Sequence, residues 1–360
     1  MKFLNLSLKH SKRAVGSPPR KLFKFCIWCL SGSQTIVFLA AIASILSGII
    51  ETLTAAVMGY IVDLVLANQT KELLLNEIPV LCFIVIFLFV VRPTAFALSS
   101  YMQAVVLSPE LRTLVSTRLH RWTLGHSKNF FQNDFAGRVA QKEVQASSAL
   151  SELVVESIHT VLFALTSVIS AVIIISLIDW RLGSIILLWF FGFILVMRFY
   201  MPRIKLKSTT TANAQAVVSG QIVDTISNID VVKLFANSEH EDKAALQAFG
   251  KLKTKLKIYG KELVWFRTFM MIYASVVFAA VFALAIVLWF REITSPGEVV
   301  AAGSVSMRLT MMAGWVSFSL MTIYSKLGEV EDAMNTLAIP QSMLDKNNAQ
   351  TLIVPRGKIK

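Results

Sequence analysis

Residues 268–290 read TFMMIYASVVFAAVFALAIVLWF, 23 consecutive positions without a charged side chain. A helix rises about 1.5 Å per residue and a bilayer core is about 30 Å thick, so roughly 20 apolar residues cross it. This stretch spans a membrane alone. Moving outward from it, a second uncharged run at 160–178 holds 19 residues. Neither run has the polar stripe that a helix of a soluble protein keeps toward water. Four further apolar stretches complete a set of six, predicted at 35–62, 78–107, 155–178, 182–201, 263–290 and 299–325. The fold class that follows is an all-α membrane protein with six transmembrane helices.

Composition agrees: 55% of the 360 residues are hydrophobic, 16% are charged, and mean hydropathy is +0.63. The net charge of +13 suits nucleic acid in the abstract. Here the basic residues cluster outside the apolar stretches, where they set topology and attract anionic lipid. No nucleic-acid partner is expected. Cys26, Cys29 and Cys82 are too few for a disulfide framework. The Cys26-x-x-Cys29 pair has no second pair beside it and no βαβ pattern around it, so neither a zinc site nor a redox motif is read there. No cleavable signal peptide is expected at the N-terminus, because its basic region is long and no small-residue cleavage motif is present.

Charge sets the orientation. Residues 1–34 carry seven Lys or Arg and no acid, which places them in the cytoplasm. Within them, 22–30 is too short to span and suits an interfacial elbow helix. The connections then alternate. Residues 63–77 carry one Lys and three acids, and the turns at 179–181 and 291–298 are short; these face outside. Residues 108–152 carry six Lys or Arg and 202–262 carry ten; these face inside, with the C-terminus. A multi-pass protein of the plasma membrane, a bacterial inner membrane, is expected.

Cytoplasmic connections of this length are either disordered or folded extensions of the spans. Leu111, Leu114, Val115 and Leu119, and again Ile222, Ile226 and Ile229, recur at helical spacing, so paired helical legs joined by a short turn are predicted. The first tip is 129–138, NFFQNDFAGR, and the second is 224–239, DTISNIDVVKLFANSE. Exposed phenylalanine at a tip implies a protein socket that covers it. The alternative is a turn packed on the neighbouring leg.

The six spans, the inward legs, the Phe130-Phe131…Gly137-Arg138 segment and the Ile229-x-Val231-Val232-Lys233-x-Phe235 segment together resemble the transmembrane domain of an ATP-binding-cassette (ABC) exporter. The likeness covers residues 20–360. It implies a half-transporter that pairs with a second transmembrane half, homo- or heterodimeric, and moves an amphipathic, lipidic or drug-like substrate by alternating access. It also implies two coupling helices that dock on a nucleotide-binding domain, through Phe130, Phe131, Asp134 and Gly137 at one tip and Asp224, Asn228, Val231, Val232 and Lys233 at the other. Asp224 stands where many relatives have Glu, and Asn228 where they often have Gly. On this reading 1–34 is the cytoplasmic N-terminus with its elbow helix, 35–328 the transmembrane domain, and 329–360 a cytoplasmic helix over 328–344 followed by a linker. The segment Pro355-Arg356-Gly357-Lys358-Ile359 resembles the lead into a nucleotide-binding domain. The expectation is that such a domain is either supplied by a separate subunit or was once fused and is missing here.

No ATP site is present in the sequence itself. A phosphate loop needs G-x-x-x-x-G-K-[ST]. The three Gly-Lys pairs, at 250, 260 and 357, are followed by Leu252, Glu262 and Ile359, and the glycine five positions earlier is absent from each. ATP and Mg would therefore bind the partner nucleotide-binding domain, with no cofactor and no metal on this chain.

Charges within the spans are few. Glu51, Arg92 and Arg308 each cost about 2.5–3.5 kcal/mol at a helix centre, so they face protein or water. Glu51 lies about 17 Å and Arg308 about 14 Å from the outer ends of their spans, by residue count. They are read as facing the central cavity, either paired with each other or open to substrate. Arg92 precedes Pro93, where a kink shapes the wall. Met311, Met312 and Trp315, with Met307, Phe318 and Met321, form a pliable apolar face that suits either substrate or helix packing. His159 and Glu156 lack a third metal ligand. Two other functions compete. An ion-coupled secondary transporter would show paired midplane acids and repeated, broken helices, and Glu51 is the only deep acid. A non-transporting remnant of a truncated gene is the other.

Overall fold

The computed structural model describes residues 16–67, 77–133, 136–234 and 238–341. Among them the regular elements are all helical: α1 (Leu22–Leu30), α2 (Gln34–Ala67), α3 (Ile78–Leu124), α4 (Lys128–Asn133), α5 (136–178), α6 (Trp180–Ser227), α7 (Ile229–Leu234), α8 (Ser238–Phe290) and α9 (Pro296–Leu337). The helices α2, α3, α5, α6, α8 and α9 are long and apolar enough to cross a membrane. They overrun the predicted spans because backbone hydrogen bonding continues past the apolar register. Even Pro202 does not end α6. At the other extreme, α9 stops at Leu337 rather than continuing to 344. Pro340 is the reason, since a proline disfavours helical backbone in the residue before it. Residues 342–344 lie outside the described residues.

The described residues divide into two compact units, one within 1–40, 101–155 and 326–360, the other within 41–100 and 156–325. In the first unit, α1 buries Phe25 and Cys29 against Val115, Leu119, Leu150, Val330 and Leu337, while Phe23 and Ile27 stay exposed. Gly32, at φ +86°, makes the sharp exit from α1 that a side chain would strain. The carbonyls left open at the end of α1 are taken by one guanidinium. Arg118 donates to Cys29 O at 2.7 Å, to Ser31 O at 2.5 Å and to Trp28 O at 3.3 Å. The Trp122 indole N–H likewise holds Leu337 O at 2.9 Å, the last turn of α9.

The second unit is built on α6 and α8, which run along each other with 163–178 packed against α6. Its core includes Ala171, Ile175, Leu182, Ile186, Ala274, Val281, Leu288 and Leu309. Asp179 alone separates α5 from α6. Its backbone is extended, and its side chain accepts from the Arg181 N–H at 2.8 Å as an N-cap. Small residues let α2 approach its neighbours: Ser44 donates to Ile158 O at 2.9 Å, and Gly48 lies on Phe163 O. The start of α9 is a capping box. The Ser295 hydroxyl accepts from Glu298 N–H at 3.0 Å, and the Glu298 carboxylate accepts from Ser295 N–H at 2.8 Å.

Candidate functional site

Three groups of side chains were singled out by sequence: two tips, a set of charges within spans, and a methionine-rich face. At the first tip the structure has a short helix, α4. Phe130 tilts against His126 with ring centres 4.2 Å apart, and Phe131 meets Phe130 edge-on at 5.3 Å. Both are half-buried, and Phe130 packs on the core of the first unit. Phe130 thus matches the alternative of a turn packed on the neighbouring leg, while Phe131 stays half-buried beside it. Asp134 lies outside the described residues, and Gly137 sits in the first turn of α5.

The second tip is more open. Asn228 separates α6 from α7; its side-chain amide donates to Asp224 O and Oδ1, both at 3.0 Å, and its carbonyl accepts from Val232 N–H at 3.1 Å. Asp224 and Asn228 are thus the joint, and α7 is what the joint presents. Lys233 is exposed, Val232 half-buried, and Val231 is 52% exposed. Leu234, at 81%, is the most exposed apolar side chain of the helix and was missed in the sequence. The i, i+3 spacing of Val231 and Leu234 was the signal that marks them as one face.

Among the span charges, the structure brings all three together. Glu51 on α2 accepts from Arg92 Nε at 2.9 Å and Nη2 at 3.4 Å, and forms an ion pair with Arg308 Nη1 of α9. Arg308 Nη1 also donates to the Glu51 carbonyl at 2.6 Å. Of the two alternatives read from sequence, Glu51 and Arg308 are paired, and Arg92 joins them. Its placement follows from a wide π-turn at Phe87–Val91, in which Arg92 N–H reaches back to Phe87 O. Pro93 has no N–H to give to this turn, and the Thr94 hydroxyl donates instead to Val90 O at 2.6 Å and Val91 O at 2.9 Å. One carboxylate serves two guanidiniums, so the cluster keeps a net positive charge. The excess lies at Arg92, whose side chain is 45% exposed.

The methionine face divides. Met311 is exposed and Met312 packs against the core of the second unit. Trp315 stands edge-on to His159 at 5.8 Å and Phe163 at 6.1 Å. It also lines a cavity of about 450 Å³ between α8 and α9, with Met270, Met271, Phe318 and Met321 as its apolar walls. Neither Met311 nor Met312 reaches that cavity. Glu156 accepts from the Thr160 hydroxyl at 2.9 Å and from the Ser319 hydroxyl, so its hydrogen bonding is spent within the helices. In the first unit, burial pushes the Cys26 thiol up to about 11 and the Cys29 thiol higher still. Both are neutral near pH 7, unlike the thiolates of redox and metal sites.

The described residues thus give six membrane-length helices, with short helices at the ends of paired legs. A family profile described as the ABC transporter transmembrane region matches residues 37–313. The chain belongs to this family. It is also similar to an uncharacterized ABC transporter ATP-binding protein of Haemophilus influenzae, 27% identical over 345 residues. The match takes in 96% of this chain and 56% of the relative, so the chain spans about half the length of the curated relative it matches. An ABC transmembrane region of this kind is a multi-pass membrane protein of the transporter class.

Proposed function

We propose that this chain is the membrane-spanning permease half of an ATP-driven ABC exporter. It works as a dimer, moves an amphipathic or lipidic substrate by alternating access, and is driven by nucleotide-binding domains that carry ATP and Mg. Both termini and both tips face the cytoplasm of a bacterial inner membrane, in keeping with the basic residues of 1–34, 108–152 and 202–262. The observation that carries the reading is α7. A six-residue helix on a jointed pair of legs, with Val231 and Leu234 exposed side by side, needs an apolar socket to cover it.

The test is site-directed crosslinking in a longer polypeptide that includes an ATPase domain. A cysteine at Val232 or Leu234 is expected to capture that domain, and capture is expected to change with ATP. Capture that never involves an ATP-hydrolysing domain would reject the reading.

A further inference from the structure

The cavity between α8 and α9 holds one cation, Arg267. Among the described residues no carboxylate pairs with it and no hydrogen bond holds its guanidinium. The acid five positions before it, Glu262, is already engaged by Lys207. Arg267 lies four residues inside the predicted span 263–290, about 6 Å along the helix, which is the level of lipid headgroups rather than of the bilayer centre. Beyond it the walls are Met270, Met271, Trp315, Phe318 and Met321. The volume, about 450 Å³, falls within the range of small-molecule sites. An unpaired guanidinium at one end and a flexible thioether and aromatic lining beyond it match a ligand with a charged head and an apolar tail.

We propose that this cavity binds a single-tailed, lipid-derived amphiphile with an anionic headgroup, carboxylate or phosphate. Arg267 takes the head, and the tail lies against Trp315 and the methionines. This names the substrate class of the exporter reading and rests on it. Gly314 gives the tail its room. A Cβ added there meets nothing within 4 Å, so a larger side chain would project into the cavity without disturbing the helix backbone.

The experiment uses the full chain in zwitterionic nanodiscs, with tail-brominated stearic acid as the probe and tail-brominated lysophosphatidylcholine as its zwitterionic counterpart. Bromine quenches tryptophan, and the difference between the parent protein and Trp315→Phe isolates the signal from Trp315. Saturable quenching by the acid is expected, with weaker quenching by the zwitterion. Arg267→Gln should weaken the acid about tenfold, the loss of one charge-assisted contact, while Arg267→Lys stays within about threefold. Gly314→Leu should abolish quenching by both probes. Equal binding of the two probes, or no effect of Arg267→Gln, would overturn the proposal and leave a groove that accepts any tail. Binding here needs no ATPase domain. Arg267-dependent quenching without crosslinking at Leu234 would therefore sink the exporter reading and spare this site, and the reverse pattern would do the opposite.

Discussion

The Asp63 carboxylate accepts a hydrogen bond from the Gly297 backbone N–H at 2.7 Å, and its other oxygen accepts from the Ser295 hydroxyl at 2.5 Å. A side chain near the end of α2 thereby caps the start of α9. The two helices meet closely beside it, since a Cβ on Gly59 would lie 2.3 Å from Gly297 O and 2.6 Å from Ala301 Cβ.

That contact is a packing constraint with a measurable cost. Gly59→Ala forces the two backbones apart and should destabilise by about 1–3 kcal/mol, the usual cost of overpacking. Asp63→Ala should cost about 1 kcal/mol through the lost cap. Thermal melts of the purified protein would show both, with Gly59→Ala the larger drop.

The Glu51 cluster predicts non-additivity. Glu51→Ala leaves Arg308 and Arg92 without their counter-ion, and Arg308→Ala strips Glu51 of its less exposed partner. Each should cost about 3 kcal/mol, the lower end for breaking a buried pair. The double variant should cost less than the sum. A double-mutant cycle on melting temperature reads the difference, and strict additivity would show that the pair contributes no coupling.

On the proposed coupling role, Leu234→Asp places a charge on the most exposed apolar side chain of α7. In the longer protein it should lower substrate-stimulated ATPase activity by roughly tenfold, as loss of an interface anchor does. Melting temperature should hardly move, because Leu234 buries little.

The cysteines of α1 predict a pH profile. With the Cys26 thiol raised to about 11 by burial, alkylation at pH 8 should run on the order of a hundredfold slower than for a free thiol. The rate should climb as pH rises, since the thiolate is the nucleophile. Cys29 should label only after unfolding. Mass spectrometry of singly alkylated protein checks both.

Much of the fold was legible because the bilayer is a severe solvent. A run such as 268–290 has few ways to satisfy its backbone other than as one helix. Short-range chemistry is legible as well, as in the Ser295-Pro296-Gly297-Glu298 capping box. The limits came from distance along the chain. Glu51 and Arg308 were matched by depth, but nothing in the spacing told that Arg92 reaches the same carboxylate, because the π-turn that aims it is a tertiary outcome. Arg267 is not legible as a site for the same reason: the role proposed for it depends on which face of α9 lies opposite. The end of α9 at Leu337 is legible in Pro340, so the difference from 344 is local and not a matter of distance along the chain.

One guanidinium has a mechanical consequence. Because Arg118 grips three carbonyls at the end of α1, that short helix is fastened to the α3 leg at both its core and its terminus. Any swing of the leg must sweep Phe23 and Ile27 through whatever surrounds them. If that is the lipid headgroup layer and the leg swings as the proposed alternating access requires, leaflet tension becomes a load on the movement, and the thickness of the bilayer a throttle on its rate.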